Sequence, residues 1–125
     1  MKEYSIDKIK NVVLLGHGGS GKTTLADALL YNAGVIERIG AVGSTVMDFD
    51  SEEKKRGASL GLSVYPIETD DIKINLLDAP GQFDFVSGVY EGLSASENAV
   101  IVISGKSGLT AGAKKSFELA RELGK

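Results

Sequence analysis

The feature that most constrains this chain is a glycine-rich stretch near its N-terminus, residues 16–23, which reads GHGGSGKT. It has the form G-x-x-x-x-G-K-[ST] of a phosphate-binding P-loop, whose glycines let successive backbone N–H groups turn towards phosphate oxygens. The apolar run before it, 11–15, is typical of a buried strand. Residues 24–30 after it carry apolar side chains at helical spacing: Leu25, Ala28 and Leu29. Strand, loop and helix in this order predict a nucleotide-binding site.

Each part of this loop has a chemical task. The loop amides, together with the positive end of the following helix, would hold phosphate oxygens. Lys22 would reach the terminal phosphates as a point charge, and the Thr23 hydroxyl would ligate Mg²⁺. A lone loop histidine such as His17 more often packs or hydrogen-bonds than acts as a base. The predicted nucleotide-binding residues of the loop are His17, Gly18, Gly19, Ser20, Gly21, Lys22, Thr23 and Thr24.

Composition excludes several classes of protein. At 125 residues the chain holds at most one domain, and its net charge of −3 gives no electrostatic reason to expect a nucleic-acid surface. It has no cysteine, which excludes disulfides and thiolate metal sites. The apolar runs are too short to span a bilayer, and residues 1–10 lack the apolar core of a signal peptide. We therefore expect a cytoplasmic protein without a membrane partner.

The remaining pattern predicts an α/β fold. Residues 35–60 carry little periodicity, whereas 62–68 and 72–77 alternate as two strands that should pair antiparallel. Further elements are predicted as a helix over 83–93, a continuously apolar strand over 99–103 buried on both faces, and a last helix capped by Thr110. The inner face of that last helix should hold Ala113, Phe117 and Ala120. This order predicts a P-loop NTPase fold, a mostly parallel sheet with helices on both faces, whose ligands bind beyond the carboxyl ends of the strands.

A second motif, Asp78-x-x-Gly81, follows the strand predicted over 72–77. The carboxylate of Asp78 could hold Mg²⁺, directly or through water. The N–H of Gly81 could contact the terminal phosphate and so sense its presence. Gln82 could orient the attacking water, as the corresponding glutamine does in small GTPases. Asp, Pro and Gly also form simple turns, and it is the position behind a P-loop that favours the functional interpretation.

Together these motifs resemble the N-terminal part of a translation-factor GTPase of the elongation factor G group. The resemblance rests on residues 16–24, Met47–Asp48, 56–60, 78–81 and 83–85, and covers nearly the whole chain. It implies GTP or GDP and Mg²⁺ as ligands, GTP hydrolysis, and the ribosome as partner of the full-length protein. It also implies that the stretch 56–60 is switch I, in which Ser59 takes the place of the family's Mg²⁺-binding threonine. The metal-ligating set is then Thr23, Ser59 and Asp78, and the catalytic set Lys22 and Gln82.

The sequence departs from the family pattern at three places. Gln82 replaces the usual histidine, which leaves water positioning possible but removes a proton acceptor. Gly19 replaces the usual P-loop aspartate and removes one carboxylate near the phosphates. The guanine-reading Asn-Lys-x-Asp and the later Ser-Ala loop do not occur before Lys125. We therefore expect residues 1–125 to be the N-terminal portion of a longer GTP-binding domain, truncated before its later strands and helices.

These departures leave several questions open. In a truncated domain, strand 99–103 would form an unpaired apolar sheet edge, through which the fragment could self-associate. Because the base-reading motif is missing, the residues leave open an ATP-dependent P-loop protein. A nucleotide-binding module without efficient hydrolysis is a further alternative.

Overall fold

The computed structural model describes residues 2–39, 62–81 and 86–125. A 3₁₀ turn, Ile6–Lys8, leads into the first strand. The described strands are β1 (Ile9–Leu15), β2 (Ser63–Glu68), β3 (Lys73–Asp78) and β4 (Asn98–Ile101). The described helices are α1 (Lys22–Asn32), α2 (Val86–Ala95) and α3 (Ala111–Glu122). The predicted element order is confirmed over these ranges.

The described strands form one mixed sheet in the order β2-β3-β1-β4. β1 pairs in parallel with both β3 and β4. β2 pairs antiparallel with β3, as the sequence predicts. The central position of β1 explains its apolar run, because both of its faces are covered. The P-loop therefore starts from the middle of the sheet.

Helices cover both faces of the sheet, as predicted. On one face, Ala26 and Leu30 of α1 pack with Leu14 of β1 and Leu76 of β3. On the other, α2 and α3 enclose a second apolar cluster with alternate residues of β1 and β3, whose buried members are Val13, Leu15, Leu77, Ala79, Val89, Leu93, Leu119 and Ala120. Thr110 caps α3 as expected, since its side chain accepts a hydrogen bond from the Ala113 N–H.

The apolar residues that indicate the helical spacing of α1 are not the ones it buries: Leu25 and Leu29 are 37% and 39% exposed, and Ala26 and Leu30 face the sheet. Two expectations about burial are wrong. Phe117 is 56% exposed, although Ala113 and Ala120 do face inward. The last described strand, Asn98–Ile101, is shorter than the predicted 99–103, and each of its residues is half-buried or exposed, so it is not buried on both faces. Among the described residues no helix is long and apolar enough to cross a bilayer.

Candidate functional site

The geometry of the candidate site follows from the register of two strands. Leu14 of β1 lies beside Asp78 of β3, and the Ala79 N–H donates to the Leu14 carbonyl at 3.2 Å. The two parallel strands therefore end level with each other. The loops that follow them, 16–21 and 79–81, both leave the sheet at the carboxyl ends of the strands, where α/β proteins bind ligands.

The P-loop adopts backbone angles that favour glycine. Gly19 and Gly21 have φ of 79° and 98°, in the left-handed region. Gly21 is the N-cap of α1 and provides no side-chain cap. The first N–H groups of the helix can therefore donate hydrogen bonds to an anion. The carbonyl of Val102, just after β4, packs so closely against Gly16 that a side chain there would collide with it. The sequence gives no sign of this contact.

Lys22 lies folded into the loop rather than extended into water. Its side chain is 6% exposed, and its Nζ donates to the carbonyl oxygen of His17 at 3.4 Å. Burial lowers the pKa of Lys22 from its ordinary 10.5, and the negative charge of Asp78 opposes that shift. A buried cation at the mouth of an amide-lined loop is suited to phosphate oxygens.

The link between the two motifs is a hydrogen bond between Thr23 and Asp78. The Thr23 Oγ1 donates to Oδ2 of Asp78 at 2.9 Å, and Asp78 is fully buried. A hydroxyl and a carboxylate at this separation are oxygen ligands of the kind that Mg²⁺ prefers. In the described part of the chain no three His, Cys, Asp or Glu side chains cluster as a metal site by themselves. The pair thus fits a Mg²⁺ ion that keeps waters and takes phosphate oxygens as its other ligands.

Gly81 lies directly against the P-loop. Its carbonyl accepts a hydrogen bond from the Gly18 N–H at 2.8 Å. A Cβ built on Gly81 would lie 2.5 Å from Nζ of Lys22 and 2.6 Å from the Gly18 nitrogen. This stretch therefore occupies the space above the loop amides and the lysine, where a phosphate would have to enter.

Two buried polar atoms in the loop have no hydrogen-bond partner within the described residues: Nδ1 of His17 and Oγ of Ser20. The Ser20 Oγ lies 2.9 Å from the position a Cβ on Gly16 would take, which places the hydroxyl inside the loop. Thr24 is exposed on the first turn of α1. Sequence reasoning missed the burial of Asp27, which is 1% exposed on α1 and carries no sequence signal of burial.

Two of the predicted residues, Ser59 and Gln82, lie outside the described residues, as does the stretch 83–85. The described candidates lie together at the carboxyl ends of β1 and β3: the P-loop, Lys22, Thr23, Asp78 and Gly81. The roles assigned to them, and to Ser59 and Gln82, stay predictions.

Comparison with known proteins places this geometry in a family. Residues 7–125 match the family described as the elongation factor Tu GTP binding domain. An elongation factor G-like protein of Mycobacterium tuberculosis is 42% identical over 118 residues, covering 93% of this chain and 16% of its own length. The tetracycline resistance protein TetM of Neisseria meningitidis is 37% identical, covering 94% of this chain and 19% of its own length.

A solved structure agrees with these matches. A crystal structure of a Thermus thermophilus protein superposes with a TM-score of 0.89 at 39% identity, over 94% of this chain and 18% of its own chain. The chain thus spans less than a fifth of the length of these relatives. Since the family match covers nearly all of the sequence, the chain belongs to the translation-factor GTPase family defined by the GTP-binding domain of elongation factor Tu.

Proposed function

We propose that this chain is the N-terminal portion of the GTP-binding domain of an elongation factor G-like translation factor. The whole protein would bind and hydrolyse GTP during ribosomal translocation or a related ribosomal step in the cytoplasm. The observation that carries this proposal is the Thr23–Asp78 hydrogen bond, which joins the P-loop to the end of β3. Membership of a GTP-binding family supports the choice of nucleotide, and similarity to an elongation factor G-like protein supports the role in translation.

The proposed catalysis is positioning combined with electrostatic stabilisation. Lys22 and the loop amides hold the phosphates, while Thr23, Asp78 and Ser59 offer their oxygens to Mg²⁺. The ion supplies charge neutralisation on the phosphate oxygens when it is bound. Gln82 orients the attacking water, a role that needs only a donor and an acceptor and no change of its protonation.

The contact between Gly81 and Gly18 supplies the sensing step of the proposal. A terminal phosphate that takes the Gly18 N–H must displace the Gly81 carbonyl, which accepts that hydrogen bond at 2.8 Å. The displaced segment 79–81 follows β3 directly and leads towards Gln82. Loss of the phosphate on hydrolysis lets the carbonyl return, so this segment reports which nucleotide is bound.

A competition experiment tests this proposal. A fluorescent guanine nucleotide bound to the full-length protein should be displaced by GTP and GDP at concentrations at least about tenfold below those of ATP. The Lys22→Met variant should lose this binding, whereas Lys114→Met, a change at an exposed lysine of α3, should keep it. Equal displacement by ATP would favour an ATP-dependent enzyme and contradict the proposal.

Hydrolysis is tested separately by phosphate release from GTP with and without ribosomes. We expect ribosomes to stimulate the reaction and Gln82→Ala to reduce it strongly while leaving GTP affinity unchanged. A protein that binds GTP but releases no phosphate under either condition would be a binding module. Full stimulated activity in Gln82→Ala would remove the role assigned to that residue.

A further inference from the structure

Helix α2 contains two buried glycines, Gly88 and Gly92, which lie one turn apart on the same face. Glycine destabilises the interior of a helix relative to alanine, so two of them on one face indicate that something packs very closely there. A Cβ on Gly92 would lie 2.7 Å from Cγ2 of Val13 and 3.1 Å from Cδ1 of Leu62. A Cβ on Gly88 would lie 2.8 Å from Cδ and 2.9 Å from Cγ of Pro80. Gly88 is therefore the point at which α2 contacts the segment that covers the P-loop.

The two glycines differ in how far their neighbours can adjust. The neighbours of Gly92 are ends of side chains, which adjust more easily than a backbone. The ring of Pro80 is closed onto its own backbone, so a methyl group on Gly88 must move either that backbone or α2 itself. α2 is held against the sheet by Val89 and Leu93, which belong to the apolar cluster on that face. The position of α2 therefore limits where the Pro80 ring can lie.

Pro80 lies between an anchored residue and one that has to move. On one side of it, the Ala79 N–H donates to a β1 carbonyl at 3.2 Å, which ties the segment to the sheet. On the other side, the Gly81 carbonyl accepts a hydrogen bond from the Gly18 N–H at 2.8 Å. Pro80 has no N–H of its own to donate. Because the ring is packed without free space against Gly88, a displacement of the Gly81 carbonyl must change the contact between the ring and α2.

We propose that Gly88 is a positioning residue of the nucleotide site, which acts through the Pro80 ring and sets the ratio of the protein's affinities for GTP and GDP. The inference rests on the proposed function, in which the terminal phosphate of GTP displaces the Gly81 carbonyl from the Gly18 N–H. GDP has no terminal phosphate and leaves that hydrogen bond in place. A change that disfavours the arrangement with the Gly81 carbonyl on Gly18 therefore favours GTP relative to GDP.

Matched alanine substitutions on α2 test this inference in the full-length protein. Gly88→Ala adds a methyl group that conflicts with the Pro80 ring in the arrangement that excludes the terminal phosphate. We expect it to raise the affinity for a non-hydrolysable GTP analogue relative to GDP at least about fivefold, measured by displacement of a fluorescent guanine nucleotide. Gly92→Ala adds the same group on the same helix face, where its nearest neighbours are Val13 and Leu62. It should leave the ratio unchanged even if it lowers stability. An unchanged ratio in Gly88→Ala, or an equal rise in both variants, would overturn the inference.

A second substitution tests whether the effect passes through the proline ring. Pro80→Ala removes the Cγ and Cδ atoms that a methyl group on Gly88 would meet. Introducing Gly88→Ala into the Pro80→Ala protein should therefore leave the ratio of the two affinities unchanged. A rise as large as in the wild-type background would mean that Gly88 acts by another route and would contradict the role assigned to it.

Hydrogen exchange of the wild-type full-length protein provides a test that does not depend on how the variants fold. Amides of residues 88–92 should change their exchange rates when GDP is replaced by the GTP analogue, whereas those of residues 28–32 in α1 should not. Unchanged exchange at 88–92 with the analogue bound would overturn this inference alone. A protein that binds no guanine nucleotide would overturn the proposed function and this inference together.

Discussion

Replacing Gly81 by alanine should destabilise the fold through a steric conflict that the structure locates. The new Cβ would lie 2.5 Å from Nζ of Lys22, 2.6 Å from the Gly18 nitrogen and 2.8 Å from the Gly18 Cα. The lysine end can move, but the two Gly18 atoms belong to the backbone and cannot rotate away as a side chain does, so the segment 79–81 must shift. That shift lengthens the Gly18–Gly81 hydrogen bond, worth about 1 kcal/mol, and adds about 1–3 kcal/mol of overpacking.

We therefore expect Gly81→Ala to lower the free energy of unfolding by about 2–4 kcal/mol, a large share of the about 5–15 kcal/mol of a typical domain. Urea denaturation followed by circular dichroism measures it. The matched control is Gly105→Ala, because a Cβ there meets nothing within 4 Å and the glycine has no left-handed φ. A difference below about 0.5 kcal/mol between the two variants would refute the reasoning, since surface changes fall in that range.

Two further predictions concern buried groups of the P-loop. Ser20→Ala removes a buried hydroxyl that has no hydrogen-bond partner in the described residues. The free energy of unfolding of the ligand-free chain should therefore rise by about 1 kcal/mol or more. An unchanged or lower melting temperature would contradict this. Burial lowers the pKa of Lys22 in the folded chain from its ordinary 10.5. Between these two values the unfolded chain binds more protons than the folded chain, so the stability that this group contributes rises with pH. Urea unfolding at several pH values should show wild type gaining stability relative to Lys22→Met as the pH approaches 10.5; a constant gap would contradict the shift.

The sequence predicts the elements around the candidate site well, because the signals there are local. The P-loop, the Thr110 cap and the antiparallel pairing of β2 with β3 each depend on a few neighbouring residues or on a short turn. The parallel pairing of β1 with β3, which sets Leu14 beside Asp78, is the long-range contact that brings the two motifs together. Motif order and strand order together therefore predict the position of the site.

Burial was predicted less well, because it depends on which element covers each face. Helical spacing alone does not determine whether Leu25 or Ala26 faces the sheet. In the structure Ala26 is buried against the sheet and Leu25 is exposed. The apolar run of β4 predicts a strand covered on both sides, but its place at the edge leaves Val100 partly exposed. The close approach of Gly81 to Gly18 was also beyond the sequence, since it joins two loops distant along the chain.

The most direct test of the account is the effect of Mg²⁺ on GTP affinity in Asp78→Asn, measured by isothermal titration calorimetry of the full-length protein. Asp70→Asn is the matched control, since Asp70 is exposed in the turn between β2 and β3. If Asp78 and Thr23 together hold the ion, wild type and Asp70→Asn should bind GTP at least about tenfold more tightly with Mg²⁺ than with chelator. Asp78→Asn should lose most of that increase while remaining folded; a folded Asp78→Asn protein with the full increase would contradict the account.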